Sequence, residues 1–324
     1  MPRMNHRRNS RKPWIITALL AVTLLGMMLS HCRKVEKDYP RDEAPELEET
    51  WSCGSGNVKV ARIPLDGVIM RTEEDGLFTA RSDMVAGILT QVRAAERDPD
   101  MRAIILEVNS PGGGVTPSDE IYNALRGFRN SRPERRVVVF IRDLGASGAY
   151  YAAMAGNFII AEPTAVVGSI GVIMQTMNFQ GLSEKIGITD VTIKSGANKD
   201  MLNPFQPVNT NQVALLQKLI DGMQARFSGI VVESRKLDRA AAPELFDGRI
   251  FSATDALNKG LIDEIGYWND AVARTARLLN TGALRVIRYE PQRTFFEQLI
   301  EGKSPVVLPN LKLSSPQFLY LWKP

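Results

Sequence analysis

Histidine is almost missing from this chain. Only His6 and His31 occur among 324 residues, and both flank an N-terminal apolar run outside anything patterned as a domain. That scarcity excludes a serine–histidine–acid triad within the domain and argues against a zinc site. Cysteine is equally rare. Cys32 and Cys53 follow the apolar run closely and fall in no metal-ligand spacing. Outside the cytoplasm they can pair; otherwise they are two unrelated thiols. No metal or cofactor is expected. Net positive charge is lacking too, once the first residues are set aside. Arg3, Arg7, Arg8, Arg11 and Lys12 carry +5 against a whole-chain net charge of +4, so the remainder is near −1. Such a balance offers no basic face to nucleic acid.

Against these absences stands one long uncharged run, Trp14–Ser30. As a helix it rises roughly 25 Å, the short end of what spans a bilayer. Met28 and Leu29 are too large for a signal-peptide cleavage site, and Leu29-Ser-His-Cys32 lacks the small residue a lipoprotein signal needs before its cysteine. The run is therefore expected to be an uncleaved transmembrane anchor. Residues 1–13 would stay cytoplasmic, and the rest would lie on the periplasmic or extracellular side of the cytoplasmic membrane. Residues 31–56 mix acids and bases around Pro40 and Pro45 and read as a linker. A domain over 57–290 and an extension over 291–324 complete the division. The extension, with Pro305, Pro309, Pro316 and Phe318-Leu-Tyr-Leu-Trp322, is expected to lie on a partner or on the membrane surface.

From Val58 the pattern becomes that of an α/β protein. Val58–Leu65 alternates as a strand, and 79–97 has helical spacing through Met84, Ile88, Leu89 and Val92. Arg102–Asn109 is a buried strand that ends in Ser110-Pro-Gly-Gly-Gly114, and a helix begins near Pro117. The unit then recurs: strand Arg136–Ile141, turn Leu144–Gly148, a helix over Gly148–Ala155, and a short strand Phe158–Ala161. Repeated strand–turn–helix units predict a parallel sheet. Residues 210–236 predict a long helix, with Val213, Leu216, Ile220, Met223, Phe227 and Ile230 along one face. Ser252-Ala-Thr-Asp255 predicts a capping box.

Both glycine-rich turns follow buried strands, so both emerge at the carboxyl edge of the sheet, where α/β proteins bind ligands. Ser147, in Gly145-Ala-Ser-Gly148, is a candidate nucleophile, and backbone amides around Gly113, Gly114 and Gly148 are candidate oxyanion donors. Locally the same serine also reads as a helix N-cap. Without an imidazole, its base has to be a lysine or a carboxylate. A lysine works near pH 7 only if its pKa falls by about three units, roughly 4 kcal/mol, which burial can supply. Lys194 and Lys199, in Thr192-Ile-Lys-Ser-Gly-Ala-Asn-Lys-Asp200, are the two candidates, and spacing does not choose between them.

Several motifs in one order carry a resemblance. Ser110-Pro-Gly-Gly-Gly-Val, Ser118-Asp-Glu-Ile-Tyr, Ala146-Ser-Gly-Ala-Tyr-Tyr, Gly168-Ser-Ile-Gly-Val, Ser195-Gly-Ala-Asn-Lys-Asp and Gly248-Arg-Ile-Phe-Ser-Ala-Thr-Asp are similar to those of the signal peptide peptidase A family, in its short single-repeat form. The resemblance runs from about residue 58 to 275. It implies a spiral β/α fold shared with the caseinolytic (Clp) proteases and the crotonases. It also implies that Ser147 is the nucleophile, Lys199 its general base and Ser169 a hydroxyl orienting the lysine, with the oxyanion amides near Gly113, Gly114 and Gly148. Ala149 stands where the family more often has glycine. The family further implies a homo-oligomeric ring whose sites are shared between protomers, and apolar peptide substrates such as remnant signal peptides. Two other functions fit the fold: a crotonase-like acyl-CoA enzyme, and a catalytically inert membrane-anchored ring scaffold.

Overall fold

The computed structural model describes residues 47–71, 83–238, 240, 243–291 and 319–321. The apolar run Trp14–Ser30 and Cys32 lie outside them. Among the described residues no helix is long and apolar enough to cross a membrane.

In chain order the elements are β1 (Leu47–Cys53), β2 (Val58–Asp66), α1 (Met84–Arg97), β3 (Met101–Ser110), β4 (Gly112–Gly114), α2 (Val115–Ser131), β5 (Arg136–Ala146), α3 (Gly148–Ala153), β6 (Phe158–Ala161) and β7 (Val166–Gly168). Then come α4 (Gln180–Ile186), α5 (Thr210–Arg235), a 3-10 turn (Pro243–Phe246), β8 (Ile250–Ser252), α6 (Ala253–Asn258), β9 (Glu264–Ile265), α7 (Trp268–Leu278), β10 (Leu284–Pro291) and β11 (Leu319–Leu321). The main sheet runs β1-β10-β2-β3-β5-β6-β9, and β7 branches from β5 to pair with β8. From β10 through to β9 every pairing is parallel; β1–β10 and β7–β8 are antiparallel. The result is an α/β fold with a parallel-rich sheet, which fits the Clp/crotonase architecture.

Why β3 and β5 read as continuous apolar runs is plain from their surroundings. Ile104, Leu106, Val137, Val139 and Ile141 enter one core layer, beneath α1, α2 and α3. The intervening Ala103, Ile105, Val138 and Phe140 enter a second layer with Ala271 of α7. A parallel sheet covered on both faces needs apolar residues at every position. The charged Asp83 at the start of α1 accepts a 3.0 Å hydrogen bond from Val85 N–H as an N-cap. Ser252 does the same for α6, accepting from Asp255 N–H at 3.1 Å.

The structure departs from the sequence pattern in three places. Leu47–Cys53, inside the charged linker stretch, forms β1 on the sheet edge beside β10; the charged Glu48 and Glu49 suit an edge strand. Leu144–Ala146 continues β5 instead of turning, because β7 pairs with it through Leu144↔Val166 and Ala146↔Gly168. Finally, α5 is helical as expected and buries Leu216 and Phe227 of the expected face, but Val213 at its start is exposed. Cys53 is a free, half-buried thiol.

Candidate active site

Ser147 sits where β5 stops and α3 starts. Its φ of 55° and ψ of −118° lie outside the regions an L-residue adopts freely, a conformation that costs on the order of 1–3 kcal/mol. Two backbone hydrogen bonds hold it there. Its N–H donates to the Gly168 carbonyl at 2.7 Å, and its own carbonyl accepts from Tyr151 N–H at 2.8 Å. The side chain makes no cap hydrogen bond to α3. Its Oγ is buried with no hydrogen-bond partner among the described residues. An N-cap would have used that oxygen on a helix N–H. Ser147 thus starts α3 without capping it through its side chain.

The first glycine turn lies beside it. Ser110, at the end of β3, is the register partner of Gly145, and its Oγ accepts Gly112 N–H at 3.1 Å. Ile69 clamps the turn from one side, donating to the Gly112 carbonyl at 2.8 Å and accepting from Gly114 N–H at 2.7 Å. A Cβ on Gly113 would sit 2.0 Å from the Ile69 carbonyl oxygen, so no other residue fits without moving the backbone. The Gly114 amide is thus spent on Ile69. Because N–H groups alternate between the two edges of an extended strand, Gly113 directs its amide away from Ile69. The two glycines therefore differ: Gly114 is bonded to Ile69, while Gly113 directs its amide to the opposite edge.

Ser169 follows Gly168, the residue opposite Ala146 across β5–β7. It is nearly buried, has φ of 52°, and its N–H donates to the Arg249 carbonyl at 2.7 Å. Strand register thus brings Ser169 alongside Ser147. Ala149 is fully buried within α3, so its methyl is accommodated.

The lysines stand elsewhere. Lys194 and Lys199 lie in the segment between β7 and α5. Lys194 Nζ pairs with both Asp200 oxygens, at 2.7 and 2.8 Å. Lys199 is exposed, and among the described residues no hydrogen bond or ion pair joins it to Ser147. The same segment exposes Met177, Ile188, Val191 and Ile193, the last 97% accessible.

One buried group near Ser147 escaped the sequence pattern. Tyr151 of α3 is fully buried against Tyr122 and Phe227, with ring centroids at 5.4 and 5.0 Å. Its hydroxyl donates to Asp119 Oδ1 at 2.5 Å, and Arg226 of α5 donates to the same oxygen at 2.6 and 3.1 Å. The Asp119 hydrogen bonds raise the Arg226 pKa above its ordinary value. Asp119 belongs to the helix that follows the glycine turn, and Tyr151 to the helix that follows the nucleophile. Their contact fixes one turn against the other. Both residues stand in motifs read from the sequence, yet neither spacing nor residue type indicated that they meet.

A cavity of about 430 Å³ lies among Met177, Lys194, Asp200 and Gln212 and contains neither Ser147 nor the glycine turn. Another, about 360 Å³, touches Gly114 and is lined by Met70, Val115, Pro117 and Met223.

Comparison with known proteins points the same way. The family model described as peptidase family S49 matches residues 129–282, a span holding Ser147, Ser169 and Lys199. A protein of Enterococcus faecium named as a signal peptide peptidase SppA is 34% identical over 249 residues, covering 77% of this chain and 72% of that protein. A protein of Methanocaldococcus jannaschii named as a protease is 34% identical over 72% of this chain and 75% of its own length. Protease 4 of Haemophilus influenzae is 32% identical over 76% of this chain but only 38% of its own length.

Proposed function

The chain belongs to peptidase family S49, the signal peptide peptidase A family, and is a serine peptidase; from that premise we propose a membrane-anchored, ring-forming endopeptidase in which Ser147 of one protomer works with Lys199 of its neighbour. One observation carries this reading. Within a single chain the serine hydroxyl is buried and unbonded, while the lysine is exposed on an apolar segment. A lysine base near neutral pH requires burial, and a second copy seated on that segment would supply it.

In this scheme neutral Lys199 takes the proton from Ser147 Oγ as the oxygen attacks the peptide carbonyl carbon. The oxygen of the tetrahedral intermediate receives the Gly113 and Gly148 amides, aimed before the reaction begins. Collapse breaks the C–N bond, and the lysine ammonium passes its proton to the leaving amine. Water, deprotonated by the same lysine, then hydrolyses the acyl-serine. Ser169, beside Ser147 at the end of β7, would hydrogen-bond the incoming lysine and hold its direction.

The cleft at Gly114, with Met70, Val115 and Met223, suits apolar side chains. Together with an anchor at Trp14–Ser30, it supports remnant signal peptides as substrates, met at the outer face of the cytoplasmic membrane. An acyl-CoA enzyme and an inert scaffold are both disfavoured by family membership, and the scaffold also by the unbonded, strained Ser147.

The test is covalent trapping. A serine-reactive acylating probe should label Ser147 in the assembled protein, with the site mapped by peptide mass, and labelling should be lost in Lys199→Ala. Label elsewhere, or undiminished label in Lys199→Ala, would overturn the assignment.

A further inference from the structure

Strand pairing joins the two turns of the proposed site only as far as Ser110 and Gly145, the last register pair between β3 and β5. Gly113 and Gly148, whose amides the proposed mechanism gives to the oxyanion, both lie beyond that pair. Helix α3 packs against β4 and α2 past this point, but apolar packing is not directional. A chain of hydrogen bonds supplies the direction. On the glycine turn, the buried Ser118 Oγ donates to the Gly114 carbonyl at 2.8 Å. The next residue of α2, Asp119, accepts the Tyr151 hydroxyl on Oδ1 at 2.5 Å. The backbone N–H of the same tyrosine donates to the Ser147 carbonyl at 2.8 Å. The bridge is stiff, because the buried Tyr151 ring is wedged between Tyr122 and Phe227. From the solvent side Arg226 donates to Asp119 Oδ1 through Nε at 3.1 Å and Nη2 at 2.6 Å. Charge-assisted bonds of this kind are roughly twice as strong as neutral ones.

We propose that Asp119 and Tyr151 are positioning residues for the hydrolysis: their hydrogen bond sets the spacing between the Gly113 and Gly148 amides, and so acts on the tetrahedral intermediate more than on bound substrate. This rests on the assignment of Ser147 and of those two amides made above. In this scheme neither side chain touches the reacting atoms. A donor lost outright from an oxyanion hole lowers kcat by about 10²–10³. A donor pair left in place but loosened belongs below that range, at about tenfold. A bond that served the fold alone would change stability, or weaken substrate and intermediate alike.

The experiment compares the full-length assembled protein with Tyr151→Phe, which deletes the hydroxyl and keeps the ring between Tyr122 and Phe227. On an unstructured apolar peptide amide, kcat should fall about tenfold while KM stays within about twofold. A peptide boronate, whose boron bonds to Ser147 Oγ and sets a tetrahedral oxygen at the oxyanion position, should lose affinity by about the same tenfold. The matching unreactive peptide should bind as it does to the parent. Asp119→Ala should repeat the loss in kcat, whereas Asp119→Asn, which keeps an acceptor oxygen for the phenol, should stay within about threefold of the parent. A Tyr151→Phe kcat within twofold of the parent would overturn the proposal. So would equal losses of affinity for the boronate and the unreactive peptide, or an Asp119→Asn that falls as far as Asp119→Ala. Labelling by the acylating probe separates the two ideas. A parent labelled at Ser147 keeps the peptidase assignment whatever Tyr151→Phe does, and a parent that is neither labelled there nor active overturns both.

Discussion

Ser147 and Lys199 stand in opposite surroundings. The serine is 1% exposed at the carboxyl edge of a sheet covered on both faces, held by Gly168 and Tyr151 and flanked by a glycine turn with no room for a side chain. The lysine is exposed on a segment that also presents Val191 and Ile193 to solvent. In the proposed site, one half would be finished within the chain and share its core, and the other would stand on a surface apart from that core. Substitutions in the two halves should therefore fail differently: on the serine side, stability and activity fall together, whereas on the lysine side activity falls alone.

The largest effect should come from the lysine side. Lys199→Ala is expected to lower kcat/KM on an apolar peptide amide by at least about 10³-fold, the scale on which loss of a residue acting as a unit with its nucleophile is felt, while the melting temperature stays within a degree or two. A matching fall in melting temperature would erase the contrast. Next is Ile193→Glu, which places a charge on the most exposed apolar residue of the segment. It should dissociate the assembly, measured by sedimentation, and take activity down with it while leaving the monomer folded. An intact, active assembly would move the interface elsewhere.

On the serine side, Gly113→Ala forces a methyl to within 2.0 Å of the Ile69 carbonyl. It should lose about 2–3 kcal/mol of stability, the cost of overpacking, along with most activity. Thermal melting measured with an active-site titration checks both. The smallest effect lies remote from both halves, in the ion pair of Lys59 with Asp98, 2.7 Å apart. Burial pushes the Asp98 carboxyl up, but hydrogen bonds from Lys59 and the Asp100 N–H outweigh it and leave the pKa below the ordinary value. Its stabilisation is complete above the ordinary carboxylate range and is lost as pH falls through the lowered folded value. Melting temperature should decline below about pH 4, and Asp98→Asn should flatten that decline without changing the pH–activity profile.

The contrast also explains what the sequence made legible. β3 and β5 were readable because a sheet buried on both faces demands unbroken apolar runs, and the two glycine turns followed from where those runs ended. The front of α5 misled for a related reason. Val213 repeats at helical spacing with the buried Leu216 and Phe227, yet periodicity does not say where along a helix the burial begins. Leu144–Ala146 looked like a turn because glycine usually breaks a strand, and only the distant β7 makes it pair. Choosing Lys199 over Lys194 was beyond spacing and came from family resemblance; the structure then gives Lys194 its own partner in Asp200. Meetings across long separations, such as Tyr151 with Asp119 and Tyr320 with its strand partner Gly113, leave no local trace in a single sequence.

Complementation tests the shared site most directly. Ser147→Ala and Lys199→Ala proteins, each inactive alone, are dissociated, mixed and reassembled, with mixed rings verified by mass. If each site joins a serine from one protomer to a lysine from the next, hydrolysis of the apolar peptide should return to about a quarter of the parent's rate for random equal mixing, since one junction in four then carries both intact residues. Verified mixed rings with no recovered hydrolysis would contradict a site shared between protomers.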